Sequence, residues 1–230
     1  MSLFEVKDLS ISYDAQADSE HPSPWLNGIS FTLDAGCIYD LTGPSGAGKS
    51  MLLRACAQMM DIKQGHLLLN GKDSLEFGFQ EWRRQVCLVP QHASLVPGTI
   101  RDNLLLPWTL KVNRDKAQPT DQELKHLLEA ASLDVALDHD AARLSGGQAA
   151  RAALLRTFAT KPPVLLLDEV DAALDDDSAH AVGILTMSMV EQGSTCLRIR
   201  HRPPDGRASG IFRLADGKLE LLKGAERRLA

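Results

Sequence analysis

Residues 43–50 read GPSGAGKS, and this stretch decides the fold class. It matches the pattern G-x-x-x-x-G-K-[ST] with no substitution. Glycines allow the backbone to wrap a triphosphate with its N–H groups pointing inward, and the following helix offers its positive N-terminal end. Lys49 supplies a point charge for the β- and γ-phosphates, and Ser50 supplies a hydroxyl for Mg²⁺. The predicted nucleotide-binding residues are Gly43, Pro44, Ser45, Gly46, Ala47, Gly48, Lys49 and Ser50.

The surroundings of this stretch argue against a chance Gly/Ser turn. It lies between a predicted strand at 37–43 and a predicted helix at 49–60. Strand patterns alternate with helix patterns along most of the chain, which predicts a mostly parallel sheet. The predicted strands are 3–13, 28–36, 65–72, 85–91, 164–169 and 194–200, with a closing hairpin at 210–222, and the predicted helices are 121–133, 148–160 and 179–193.

The alternation weakens in two regions, and these complete the predicted fold class. The strands nearest the N-terminus alternate apolar and polar residues, which is typical of a half-buried antiparallel sheet. Residues 93–140 change to loops and helical pattern, which indicates an inserted helical lobe. We therefore predict a single α/β domain over residues 1–230. Its P-loop NTPase (RecA-like) core would span 1–92 and 158–230, and its lobe about 93–157.

Composition sets further bounds. The 230 residues are 44% hydrophobic and 24% charged with a net charge of −5, as in a soluble globular protein. The sequence has no cluster of basic residues that would indicate nucleic acid binding. No apolar run approaches the roughly 18 residues that a membrane-spanning helix requires. The four cysteines are scattered and the N-terminus does not look like a secretory signal. We expect a cytoplasmic protein with no nucleic acid partner and no direct membrane insertion.

A second chemical motif is the acidic end of VLLLDE, residues 164–169. A continuously apolar strand is expected in a parallel sheet covered on both faces, and ligands bind at the carboxyl ends of such strands. Asp168 is suited to holding Mg²⁺ through water, and Glu169 to taking a proton from attacking water. An acidic pair after a strand is often only a solvated strand end, but beside residues 43–50 it is the expected second half of an NTP site. These two motifs alone are also compatible with a kinase that phosphorylates a small molecule.

A second glycine-rich stretch, LSGGQ at 144–148, narrows the choice. Ser145 and Gln148 form the S-x-x-Q pattern of a capping box at the start of an alanine- and leucine-rich helix. A plain cap does not require Gly146 and Gly147. Two glycines at a helix start let something approach the backbone closely, and free N–H groups with the helix dipole favour an anion.

With these motifs in order, the sequence resembles the ABC-type ATPases over essentially its whole length. The resemblance implies that Tyr13 lies against adenine, that Gln91 is the glutamine loop near nucleotide and metal, and that His201 is the switch histidine sensing the γ-phosphate. The segment AALD at 172–175 follows Glu169 at the family's spacing and places Asp175 in the D-loop. Packing of Tyr13 and a plain surface location for His201 are the competing interpretations.

The chain departs from the family pattern around its switch histidine. The family usually has Thr before this histidine and an acidic residue soon after it. Here Arg200 precedes His201, and Arg202-Pro203-Pro204 follows it. Ala172 stands where the family usually has Ser, so Asp175 would carry the polar contacts of that loop.

The resemblance also implies partners. Two such domains face each other head to tail, and the segment 144–148 of one covers the γ-phosphate held by residues 43–50 of the other. ATP and Mg²⁺ would be the cofactors, and a second copy and a separate membrane permease the partners. The lobe would dock a short cytoplasmic helix of that permease. The protein would then lie peripherally on the cytoplasmic face of the inner membrane.

The transported substrate is the least determined part of the prediction. The run ending in Pro107-Trp108 resembles the small bacterial ATPases of the iron-export type, although a Pro-Trp step also simply packs a helical lobe. We expect iron export. The alternatives are another small importer or exporter, a soluble non-transport ABC ATPase and, least favoured by 144–148, a small-molecule kinase.

Overall fold

The computed structural model describes residues 2–11, 26–91, 94–172 and 174–223. Tyr13 and the whole of the predicted 14–24 loop therefore lie outside the described residues. The strands are β1 (Ser2–Ile11), β2 (Leu26–Asp34), β3 (Ile38–Thr42), β4 (Gln64–Leu69), β5 (Lys72–Asp73), β6 (Val86–Val89), β7 (Val164–Asp168), β8 (Thr195–Ile199), β9 (Gly210–Ala215) and β10 (Lys218–Lys223). The helices are α1 (Lys49–Cys56), α2 (Phe79–Gln85), α3 (Ile100–Leu105), α4 (Asp121–Ala130), α5 (Gly146–Phe158) and α6 (Asp176–Glu191).

The described strands form two sheets. The larger has six strands in the order β10-β9-β3-β8-β7-β6, all parallel except the edge strand β10. The smaller is antiparallel, in the order β2-β1-β4-β5. The predicted α/β fold, with a mostly parallel sheet and antiparallel strands at the N-terminal side, is confirmed.

Strand β7 shows how the apolar core is divided. Every residue of β7 is buried, as its uninterrupted apolar run predicts for a strand covered on both faces. Because side chains alternate along a strand, Leu166 packs into one apolar cluster with α1 and the smaller sheet, whereas Leu165 and Leu167 pack into a second with α5 and α6. The carboxyl end of β7 is thus held rigidly between two cores.

The segment between β6 and α5 is built from short helices. Thr99 caps α3 and Thr120 caps α4, each in a capping box with an acidic residue three positions on. Trp108 is buried and donates from Nε1 to the carbonyl oxygen of Ala117 at 3.1 Å. Trp108 is therefore a packing residue of this segment. Helix α2 was not predicted from the sequence.

The closing hairpin has the predicted Asp-Gly turn. Asp216 and Gly217 both have positive φ, 51° and 71°, as a two-residue turn with right-handed strand twist requires. None of the helices in the described ranges is long and apolar enough to span a membrane.

The cysteines are packing residues. Cys56 and Cys196 are buried, and Cys37 and Cys87 are half-buried. Burial raises the pKa of Cys196 to about 12, so its thiol is protonated and unreactive at neutral pH.

Candidate functional site

The loop at residues 43–50, called the P-loop below, connects β3 to α1. Gly43 has a φ of 142°, and a Cβ there would lie 2.0 Å from the carbonyl oxygen of Leu214, so only glycine fits. Gly48 caps α1 with a φ of 93° and offers no side-chain cap, which leaves the first N–H groups of α1 available to an anion. Lys49 lies across this loop and donates from Nζ to the carbonyl oxygens of Gly43 and Pro44, each at 2.9 Å.

The sheet brings the two predicted halves of the site together. Ser50 donates from Oγ to Oδ1 of Asp168 at 2.8 Å, although the residues are 118 positions apart. Burial raises the pKa of Asp168, with the neighbouring Glu169 charge adding to this and the Ser50 hydrogen bond opposing it. A hydroxyl and one carboxylate are a donor set that Mg²⁺ accepts when phosphate oxygens and water complete its octahedron. The residues present therefore fit the metal that the family implies.

Glu169 lies at the centre of a second group of predicted residues. Its Oε2 accepts a hydrogen bond from Nε2 of Gln91 at 3.0 Å, and its Oε1 lies 2.6 Å from Nε2 of His201. The backbone of Glu169 has a φ of 53°, an uncommon conformation for a non-glycine residue and one that tends to occur at functional sites. In the structure Gln91 thus bonds Glu169, and within the described residues it forms no hydrogen bond with Ser50 or Asp168.

The segment 144–148, called the signature segment below, begins α5 as predicted. Ser145 donates its N–H to Oε1 of Gln148 at 2.9 Å and accepts from the Gln148 N–H at 3.3 Å, which confirms the capping box. A Cβ on Gly146 would meet no atom within 4 Å. At Gly147 the nearest atoms would be at ordinary contact distance, 3.7 to 3.9 Å, on Leu174, Asp175 and Ser178. Internal packing therefore requires neither glycine.

Asp175 lies beside the signature segment as the N-cap of α6. It accepts hydrogen bonds from the Ser178 N–H at 2.8 Å and the Ser178 hydroxyl at 2.9 Å. These bonds lower the pKa of Asp175 and keep it ionised. The predicted polar role of Asp175 in its loop remains a prediction, since within the described part of the chain both oxygens serve the helix cap.

Sequence reasoning did not identify the ionic network behind the site. Arg198 is buried and bonds Oδ1 of Asp40 at 2.6 Å and Oδ1 of Asp205 at 2.8 Å. Burial raises the pKa of Asp205, but the hydrogen bond and charge of Arg198 outweigh it and hold that pKa well below its usual range. The sequence feature that could have indicated such a network is the arginine at every second position, Arg198, Arg200 and Arg202.

A phosphate-binding loop, a buried carboxylate at its hydroxyl and a strained glutamate at the edge of a parallel sheet define a P-loop ATPase. The family model described as "ABC transporter" matches residues 26–172, and the chain belongs to this family. It binds ATP and, as an ABC ATPase, hydrolyses it to drive transport.

Curated relatives within the family act on different substrates. The chain is 38% identical to the probable iron export ATP-binding protein FetA of Escherichia coli (strain K12), over 76% of this chain and 77% of that protein. It is 33% identical to an ATP-dependent lipid A-core flippase of Vibrio vulnificus (strain YJ016) over 86% of this chain but 33% of the flippase. It is 36% identical to methionine import ATP-binding protein MetN 1 of Pseudomonas syringae pv. syringae (strain B728a), over 69% of this chain and 48% of that protein.

Solved structures share the fold over nearly the whole chain. A dimeric post-hydrolysis ATP-binding cassette bound to ADP and Pi has a TM-score of 0.78 at 25% identity, covering 96% of this chain and 100% of that one. A bacterial Atm1-family ABC exporter with ATP bound has a TM-score of 0.77 at 27% identity, covering 95% of this chain and 38% of the exporter.

Proposed function

We propose that this chain is the ATP-hydrolysing subunit of a transporter whose membrane permease is a separate polypeptide, and that it works as an ATP-dependent homodimer. The observation that carries the proposal is the signature segment, whose two glycines no internal contact requires. The two glycines are explained if a second copy of the chain brings its bound ATP against them. The dimeric relative bound to ADP and Pi supports this arrangement. In this proposal the domain consists of a core, residues 1–92 and 158–230, and a helical lobe, residues about 93–157.

The roles of the site residues follow from their positions. The P-loop backbone, the N-terminus of α1 and Lys49 would bind the triphosphate. Tyr13 lies outside the described residues, and its proposed stacking on adenine rests on the family resemblance. Glu169 would accept a proton from the attacking water, while His201 would contact the γ-phosphate and hold the Glu169 carboxylate from one side. Gln91 would hold the same carboxylate from the other side and relay its position to the lobe.

Ser50, Asp168 and, as the family resemblance implies, Gln91 would hold Mg²⁺ against the phosphates. When bound, the metal supplies charge neutralisation for the β- and γ-phosphate oxygens. Among the residues that the structure describes, no cluster of three His, Cys, Asp or Glu side chains offers an alternative metal site. This agrees with a metal held largely by phosphate and water rather than by a protein cage.

The test is the Glu169→Gln variant, which keeps the shape of the side chain and removes the base. We expect it to bind ATP and accumulate a stable dimer, because the shared γ-phosphate is no longer removed. Sedimentation or light scattering at saturating ATP and Mg²⁺ measures this. If the variant stays monomeric both alone and with its membrane partner, the dimer proposal is wrong.

A groove between α2 and the helical segment after β6 is the proposed permease dock. Its volume is about 760 Å³, and Leu106, Pro107 and Leu110 contribute to its apolar lining. Five of its described lining residues are cationic and none is acidic; the cations are Arg83, Arg84, Lys111, Arg114 and Arg156. Arg84 pairs with Glu81, and the other four cations form no ion pair with the described residues. An apolar groove lined by these cations complements a short amphipathic helix that carries acidic side chains. The proposed occupant is therefore an acidic cytoplasmic helix of the permease.

Charge reversal tests this dock. The double variant Lys111→Glu, Arg114→Glu is expected to lose co-purification with the permease and permease-stimulated ATPase activity. ATP-dependent dimerisation of the same variant in the Glu169→Gln background should not change, because the residues lining the groove include none of the P-loop or the signature segment. Normal permease binding by the double variant would contradict the proposed dock.

Iron is the proposed substrate, and export is the proposed direction of transport. Both are supported by the 38% identity to a probable iron export ATP-binding protein. Removal of the chain from its native cell is expected to raise total cellular iron, measured by elemental analysis, with restoration by the wild-type chain but not by Lys49→Ala. Unchanged iron would favour another importer or exporter of the family. In that case lipid A-core and methionine, which the names of the flippase and import relatives mention, would be the first ligands to test for stimulation of ATPase activity.

A further inference from the structure

The segment after β8 carries arginines on both sides of His201. Arg200 precedes His201 and Arg202 follows it, and their side chains reach the turn that contains Asp171 and Leu174. This turn connects Glu169 to the start of α6. The two arginines therefore join the segment carrying His201 to the turn that caps α6.

Arg202 makes the more extensive of these contacts. Its Nε donates to the carbonyl oxygen of Asp171 at 3.1 Å, and its Nη2 donates to the carbonyl oxygen of Leu174. Its Nη1 lies 2.6 Å from Oδ1 of Asp176, a side chain that is 98% exposed. An exposed ion pair contributes little, so the two charge-assisted bonds to carbonyl oxygens account for most of the interaction.

Arg200 holds the same turn from the other side of His201. Its Nε donates to Oδ2 of Asp171 at 2.8 Å, and its Nη1 lies 2.9 Å from Oδ2 of Asp205. These side chains are largely buried, with exposures of 11% for Arg200 and 8% for Asp171. Asp171 is thus fixed through its side chain by one arginine and through its backbone by the other.

Leu174 and Asp175 of the same turn lie beside Gly147 of the signature segment. A Cβ on Gly147 would be 3.8 Å from Cδ2 of Leu174 and 3.9 Å from Oδ2 of Asp175. The segment carrying His201 is therefore bonded through Arg202 to Leu174, and the Leu174 side chain lies beside Gly147. One end of this connection belongs to the chain's own ATP site, and the other to the segment offered to a second copy.

We propose that Arg202 is a positioning residue that couples the two ATP sites of the dimer. By holding the carbonyl oxygens of Asp171 and Leu174, it makes the position of the signature segment depend on the position of His201. This inference rests on the proposed homodimer, since without a second copy the signature segment has no ATP to meet.

The experiment compares three variants in the Glu169→Gln background at saturating ATP. Arg202→Ala removes both carbonyl contacts, Arg202→Lys keeps the charge without the guanidinium fork, and Asp176→Asn removes only the exposed ion pair. We expect the dimer dissociation constant to rise about tenfold or more for Arg202→Ala, to rise less for Arg202→Lys, and to stay unchanged for Asp176→Asn. The affinity of the monomer for ATP should change less than about twofold, because the P-loop is untouched.

The outcomes separate the inference from the homodimer proposal. If Glu169→Gln alone fails to dimerise, the homodimer proposal fails. If it dimerises and Arg202→Ala dimerises equally well, the coupling role of Arg202 is wrong. Should Arg202→Ala lose its fold, as judged by its unfolding midpoint, Arg202→Lys decides: equal dimerisation overturns the inference, and weaker dimerisation with an unchanged midpoint supports it.

Discussion

Replacing Gly146 by alanine is expected to affect stability and assembly in opposite directions. The added Cβ would meet no atom within 4 Å, and φ at Gly146 is not in the left-handed region. Gly146 opens α5 after its Ser145 cap, and alanine is the better helix former. The variant should therefore be as stable as the parent or more stable, by up to about 0.5 kcal/mol, or about 1–2 °C in unfolding midpoint.

In the proposed dimer, assembly should weaken because the new methyl group would lie where the second copy's triphosphate approaches. Loss of one charge-assisted backbone hydrogen bond at each of two symmetric sites costs about 3 kcal/mol in total at the low end. That corresponds to a rise of roughly a hundredfold in the dimer dissociation constant. The measurement is sedimentation of Glu169→Gln, with and without Gly146→Ala, at saturating ATP, alongside thermal unfolding of both.

Two results would refute this reasoning. An unchanged dimer dissociation constant would mean that nothing approaches Gly146 closely. A marked loss of stability would mean that folding of the chain itself requires glycine at position 146. Weaker assembly would then result from partial unfolding and not from a lost contact with ATP.

Three further predictions follow from single sites. Lys49→Ala should abolish ATPase activity, measured as phosphate release, and retained activity would reject the P-loop assignment. Gly43→Ala should unfold well below the parent temperature, because its Cβ would lie 2.0 Å from the Leu214 carbonyl oxygen; a parent-like midpoint would contradict the close approach. Asp205→Asn should cost about 3 kcal/mol of unfolding free energy at pH 7 by removing one partner of buried Arg198. Because the Asp205 pKa is depressed below its ordinary 3.8, this contribution is complete above about pH 5 and lost as pH falls, so urea titrations of variant and parent should converge in acid.

Most of the fold was predictable because its signals are local. The continuous apolar run of β7 predicts a strand covered on both faces, and the Asp216-Gly217 pair predicts a tight hairpin turn; the structure has both. The capping box at Ser145 was readable for the same reason, since its partners lie three residues apart. The contact between Ser50 and Asp168 followed from the rule that ligand sites form at the carboxyl ends of parallel strands.

The remainder depends on contacts between distant residues. Helix α2 is seven residues long, mixes polar and aromatic residues, and depends on Trp82, which is buried and bonds the Cys56 carbonyl oxygen. The arginines flanking His201 appeared in the sequence only as a departure from the family pattern. Their partners lie up to 31 positions away, so no local spacing rule could have paired them.

The central claim is that each ATP is held by the P-loop of one copy and the signature segment of the other. Mixing two inactive chains tests it directly, both in the Glu169→Gln background. One carries Lys49→Ala and the other Gly146→Asp, which places a negative charge where the triphosphate approaches. If the sites are shared, the mixed dimer has both defects in one site and one intact site, so ATP-dependent dimers should appear only on mixing. If each chain holds ATP by itself, no intact site exists, and the mixture will associate no better than either variant alone.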